Sequence, residues 1–125
     1  MDILKVGIIG HGEQVVDNKD TAKAYGSGLA DVFATPAMIG LMENTAHISI
    51  GNLLPEGCIS VGTLVNIEHL RATPLGEKVR CETVLEAIDG RKLLFSVAAF
   101  DAKGLIGKGT HERFVVNVEK FMSKL

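Results

Sequence analysis

Thr35-Pro36-Ala37-Met38-Ile39-Gly40-Leu41-Met42-Glu43-Asn44-Thr45-Ala46-His47-Ile48-Ser49-Ile50 is the stretch that decides the fold of this chain. Thr35-Pro36 reads as a helix start. A threonine hydroxyl can accept from the free N–H groups of a first turn, and proline suits the first helical position. Ile39, Glu43, Ala46 and Ile50 then share one face, because residues three and four apart are neighbours on a helix. The helix is expected to run to about Leu53, with Pro55-Glu56-Gly57 ending it. Glu43 is the oddity within it. An ionised carboxylate on an apolar stripe costs several kcal/mol unless it is paired or hydrogen-bonded, so this one is either compensated or used.

Working outward, Lys5 to Val16 reads as a first strand, with Val6, Ile8, Val15 and Val16 supplying β-branched residues. Asp17 to Asp31 is polar and glycine-bearing, expected as a mobile loop with at most a short helix. Loops of that length often serve as binding lids. Beyond the helix the chain reads as strands over Ser60 to Leu70, Glu77 to Ile88, Arg91 to Asp101 and Leu105 to Val118. Thr73-Pro74-Leu75-Gly76, Asp89-Gly90 and Ala102-Lys103-Gly104 supply the turns. Glu119 to Leu125 is left for a terminal helical turn. Short turns demand antiparallel pairing. The expected class is therefore α+β, a five-stranded antiparallel sheet wrapped round one long central helix.

The 125 residues fit a single domain, 1–125. A 46% hydrophobic and 22% charged composition excludes a disordered chain. The mean hydropathy of +0.25 points to apolar surface buried against a second copy. A net charge of −2, no Trp and one Tyr argue against nucleic acid as a partner. Cys58 and Cys81 have no CxxC spacing and read as small apolar side chains in a reducing compartment. The first residues lack the pattern of a signal peptide. The apolar run from Ala34 to Leu54 is broken by Glu43, Asn44, His47 and Asn52, so it reads as a buried helix with no role in a membrane. A cytoplasmic protein is expected.

A set of short strings then carries a resemblance: Val32-Phe33-Ala34-Thr35, Gly40-Leu41-Met42-Glu43, Ser60-Val61-Gly62-Thr63, His69 with Ala72-Thr73-Pro74, Gly90-Arg91, and Gly107-Lys108-Gly109-Thr110-His111-Glu112-Arg113. In order and spacing, from about Val32 to Lys120, the chain resembles the fluoroacetyl-CoA thioesterase branch of the hotdog-fold acyl-CoA thioesterases. The resemblance implies a hotdog fold and hydrolysis of an acyl-CoA thioester. It implies no cofactor beyond the CoA of the substrate itself, and a homodimer that can pair further into a tetramer. It implies Thr35, Glu43 and His69 as the catalytic set, and Gly62, Arg113 and Phe33 near the thioester and the CoA. That branch associates fluoroacetyl selectivity with an aromatic lid. Tyr25-Gly26-Ser27-Gly28-Leu29-Ala30 offers one Tyr and no Phe ahead of Phe33, so a different acyl group, small to medium, is expected.

These residue types suit the chemistry. Thioester hydrolysis needs an activated water or a nucleophile, a proton shuttle and donors for the developing oxyanion. Glu43 fits general base or nucleophile, beside a neighbouring His69 or Thr35. His69 moves a proton near neutral pH. Free N–H groups at the helix start suit an oxyanion. The plain alternatives are Thr35 as a cap only, Glu43 paired to Arg71 or Arg113, Gly62 as a bulge, and His69 and Arg113 as ordinary strand residues. His111 and Glu112 read as solvated or interfacial, without chemistry. His47, His69 and Glu43 lack metal-ligand spacing, so no metal is expected. Arg71, Lys78, Arg80, Arg91, Lys92 and Lys108 form the pool from which CoA phosphates would draw charge. A non-catalytic acyl-CoA binding module and a hotdog enoyl-CoA hydratase or dehydratase are the rival readings.

Overall fold

The structure is a computed structural model and describes residues 3–125. The chain runs β1 (Ile9–Val15), α1 (Ala22–Tyr25), α2 (Thr35–Gly51), β2 (Cys58–His69), β3 (Lys78–Asp89), β4 (Lys92–Asp101), β5 (Gly104–Asn117) and α3 (Val118–Ser123). The five strands form one antiparallel sheet in the order β1-β3-β4-β5-β2. This is the expected α+β arrangement.

Alternation along the strands builds the core. Val79, Cys81, Thr83 and Leu85 of β3 and Leu93, Phe95, Val97 and Ala99 of β4 are buried. Successive residues of a strand point to opposite faces, so these line the one face that packs on α2. The helix answers with Met38, Leu41, Met42, Thr45, Ala46 and Ile50. Each large apolar side chain so buried contributes roughly 2 kcal/mol. Cys81 is part of this core, and burial pushes its thiol up to about 11.

Two glycines of β1 let the helix lie close to the sheet. A Cβ at Gly12 would run into the Thr45 hydroxyl, and one at Gly10 would meet the Thr83 hydroxyl and come 2.8 Å from Ser49 Cβ. No other residue type leaves that space.

The observed elements depart from the expected ones in detail. β1 begins at Ile9 rather than Lys5, because the chain bends at Gly7, where φ is +101°. At the bend Gly7 N–H donates to the Leu85 carbonyl at 2.8 Å and Leu85 N–H to the Ile8 carbonyl at 2.9 Å, and the regular ladder runs on from Ile9. Asp17 to Asp31 contains a 3₁₀ turn at Asn18–Asp20 and the single-turn α1, capped by Thr21. The long helix stops at Gly51, two residues short of the expected end. Among the described residues no helix is long and apolar enough to cross a membrane.

Candidate active site

Thr35 opens α2 but does not cap it. The N-cap position belongs to Ala34, and no side chain caps the first turn. The expectation of Thr35 as a cap is thereby corrected. Its hydroxyl lies 2.8 Å from Nδ1 of His69, the last residue of β2, either partner donating according to the imidazole tautomer. Burial lowers the pKa of His69, and the Arg71 backbone offsets this only in part. The ring is therefore neutral at pH 7. Its Nε2 is buried and has no hydrogen-bond partner among the described residues.

The segment after His69 is strapped down. Leu70 and Arg71 N–H both donate to the Ile106 carbonyl, at 2.7 and 3.2 Å. Arg71 Nη2 donates to Asp101 Oδ1 at 2.6 Å, and the Thr73 hydroxyl to Asp101 Oδ2 at 2.8 Å. Burial alone would raise the Asp101 carboxyl. Bonds from Thr73, Arg71 and the Lys103 N–H, with the Arg71 charge, outweigh it and hold the group below its ordinary value. Phe33 N–H donates to the Thr73 carbonyl at 2.8 Å. Buried Phe33 thus stands beside Thr35 and His69, and the three help line a groove of about 350 Å³. A larger depression of about 670 Å³, lined by residues 14–20 with Leu75 and Gly76, contains none of the candidate residues.

Glu43 stands elsewhere. Eight residues past Thr35 on the same helix, it is displaced by about 12 Å along the axis. Its side chain is 41% exposed, so it is not on the buried stripe that the sequence pattern suggested. Its neighbours are Arg113 Nη1 at 3.6 Å and His111 Nε2 at 3.9 Å, in place of the expected His69 or Thr35. Arg71, the other cation considered for Glu43, is engaged by Asp101. Gly62 of β2 lies opposite Arg113, beside a register shift between Gly62 and Leu64. A Cβ at Gly62 would strike the Glu43 carboxylate. Of the plain alternatives, the pairing with Arg113 and the bulge at Gly62 are both present, and both serve to place Glu43.

His111 is the residue that sequence reasoning left aside, as solvated or interfacial. It is buried, and it joins this cluster. The signal was present: His111 and Arg113 are two apart on one strand and so share a face. Within the cation pool, Arg71 pairs with Asp101, Lys78 with Glu13 and Lys92 with Glu112, while Arg80 stacks on Phe100.

One chain therefore carries two separate clusters along α2 and β2, Thr35 with His69 and Glu43 with Gly62, the second completed by His111 and Arg113 of β5. The profile of the fluoroacetyl-CoA-specific thioesterase family, FlK, matches residues 16–119. The chain belongs to the fluoroacetyl-CoA-specific thioesterase family. It is 41% identical over 95 residues to the fluoroacetyl-CoA thioesterase of Streptantibioticus cattleyicolor, covering 76% of this chain and 68% of that protein. A solved FlK structure superposes with a TM-score of 0.91 at 35% identity, over 97% of this chain and 94% of that one. A hot-dog-like protein of Thermanaerovibrio acidaminovorans is 25% identical with a TM-score of 0.90, over 98% and 91% of the two chains. The fold is thus the hotdog fold, and the family is the one whose strings the sequence resembles.

Proposed function

We propose that two copies of this chain hydrolyse an acyl-CoA thioester to the free acid and CoA, at sites that they share. The observation that carries the shared site is the incompleteness of each half. Among the described residues His69 Nε2 is buried without a partner, and the Glu43 side chain is 41% exposed. His69 stands on β2, an edge strand, and Glu43 of α2 lies against Gly62 of the same strand, whose Leu64 and Val65 are 47% and 44% exposed. A long apolar edge strand is a template for pairing. In a two-fold antiparallel pairing, positions opposite one another have a constant sum. With the axis between Val65 and Asn66, Gly62 of one copy faces His69 of the other. That pairing carries the partner's Thr35 and His69 to Glu43.

In the assembled site Glu43 takes a proton from water, and the water oxygen forms a bond to the thioester carbonyl carbon. The C–S bond then breaks, and the proton passes to the CoA thiolate. Neutral His69, bonded to Thr35, holds and relays that proton. Thr35 and backbone N–H groups of the uncapped first turn stabilise the oxyanion. Arg113 fixes the Glu43 carboxylate. Buried Phe33 and the 350 Å³ groove favour a small to medium acyl group. The reaction needs no cofactor and no metal, and CoA enters as part of the substrate. The family assignment supports the hydrolytic reading, and we place the enzyme in the cytoplasm.

The test is thiol release over a panel of acyl-CoAs, with the oligomeric state measured by light scattering. Glu43→Gln and His69→Ala should each remove most hydrolysis while leaving the fold intact. Wild-type turnover by both variants would sink the assignment. Binding of CoA esters without thiol release would favour a binding module, and hydration of an enoyl-CoA would favour a hydratase.

A further inference from the structure

His111 is 1% exposed, in the middle of β5 and beneath α2, its ring centroid 6.4 Å from that of Phe95. Its two ring nitrogens have unlike partners. Nδ1 lies 2.8 Å from the Leu64 carbonyl. A carbonyl only accepts, so Nδ1 carries a proton. Nε2 lies 3.1 Å from Arg113 Nη1. A guanidinium only donates, so Nε2 is bare and accepts. The ring is thereby held neutral in a single tautomer by geometry. Burial and the Arg113 charge, which outweigh the Leu64 carbonyl and Glu43, lower its pKa in the same sense.

The bond from Arg113 matters because of where that guanidinium points. Its Nε donates to the Ser60 hydroxyl at 2.8 Å and its Nη2 to the Ser60 carbonyl at 2.9 Å. Its Nη1 donates to His111 and also faces Glu43 Oε2 at 3.6 Å. Three anchored donors leave the planar group no freedom to swing.

We propose that His111 is a positioning residue for the hydrolytic site: as a neutral acceptor it completes the anchoring of Arg113, and through Arg113 it sets the Glu43 carboxylate beside the gap at Gly62. This rests on the hydrolytic role proposed for Glu43. Leu64 and Ser60 both belong to β2, the strand that we pair with a second copy. The chain His111–Arg113–Glu43 therefore ties the reacting carboxylate to the interface strand.

Two variants separate the functions of the two nitrogens. In His111→Gln the side-chain oxygen reaches the Nε2 position and still accepts from Arg113. In His111→Asn the shorter amide keeps a donor for the Leu64 carbonyl and loses the acceptor. We expect His111→Asn to lower kcat roughly tenfold to a hundredfold with KM little changed, and His111→Gln to recover most of that loss. Equal losses in both, or wild-type kcat in His111→Asn, would overturn the role. A second measurement needs neither turnover nor a folded variant. ¹⁵N shifts of the His111 ring in the wild-type protein at pH 7 should show a protonated Nδ1 and a bare Nε2. A proton on Nε2 refutes the proposal. Absence of acyl-CoA hydrolysis by the wild type would sink the functional reading instead, and the ring tautomer would still decide whether His111 anchors Arg113 as an acceptor.

Discussion

Glu43→Gln and His69→Ala, each inactive alone, are expected to regain activity when the two chains share a dimer. Thr35 lies 2.8 Å from His69, but Glu43 sits eight residues further along α2, about 12 Å up the axis. That span is too long for a hydrogen bond or a single proton transfer within one chain. If each site takes Glu43 from one copy and His69 from the other, a mixed dimer holds one site with both residues intact and one with neither. After equal mixing and full subunit exchange, half of the dimers are mixed and half of their sites are whole. The pool should then show about a quarter of wild-type thiol release per chain. The assay is co-refolding of the two variants, or co-expression under separate tags, followed by hydrolysis of the best acyl-CoA of the panel. Sites built within one chain would leave every site of the mixed dimer with one lesion. Activity no higher than that of the separate variants, in a sample shown to contain mixed dimers, refutes the shared site.

Gly62→Ala places a Cβ against the Glu43 carboxylate, and kcat should fall about a hundredfold, as for an ångström-scale displacement of a reacting group, while the melting temperature changes little. The acid limb of kcat/KM should lie below 6.5, the ordinary imidazole value, because burial lowers His69 and the neutral ring is the working form; a limb at or above 6.5 contradicts this. Asp101→Asn should destabilise the chain by about 1 to 2 kcal/mol in denaturant unfolding at pH 7, a modest figure because Arg71 keeps solvent contact. The folded-state pKa of Asp101 is depressed, so its contribution is whole above 3.8 and is lost as pH falls through the lower folded value; the gap between wild type and variant should close in that acid range.

Much of the fold is local in origin and was legible for that reason. Thr35-Pro36, the alternation along 77–101 and the turn at Asp89-Gly90 are signals within a few residues of the structure they produce, and each element lies within a few residues of its expected place. The misplaced start of β1 turns on the positive φ of Gly7, which no periodicity records. The site was legible as residue types and less so as geometry. Helical spacing put Glu43 with Ala46 and Ile50, yet α2 lies across one face of the sheet and buries a narrower stripe than its apolar run suggests, with Glu43 at the margin. Thr35 looked like a cap because threonine often is one. Its hydroxyl instead meets a histidine 34 residues on, a contact set by the register of β2 and invisible to local pattern. His111 shares a strand face with Arg113, which the spacing does show, but its partners Leu64, 47 residues away, and Glu43, further still, leave no local sign.

The two glycines of β1 have a consequence for which substitutions this chain tolerates. They lie on the edge strand opposite β2, and they set how closely α2 seats on the sheet, at Thr45 and Ser49. Glu43 rides on the same helix, half a turn before Thr45. A methyl group added at Gly12 would tilt or rotate that lever from its far side, and the displacement would emerge at the carboxylate, across the full width of the sheet. Positions without a side chain, remote from any substrate, therefore belong to the aim of the site as much as the residues that point into it.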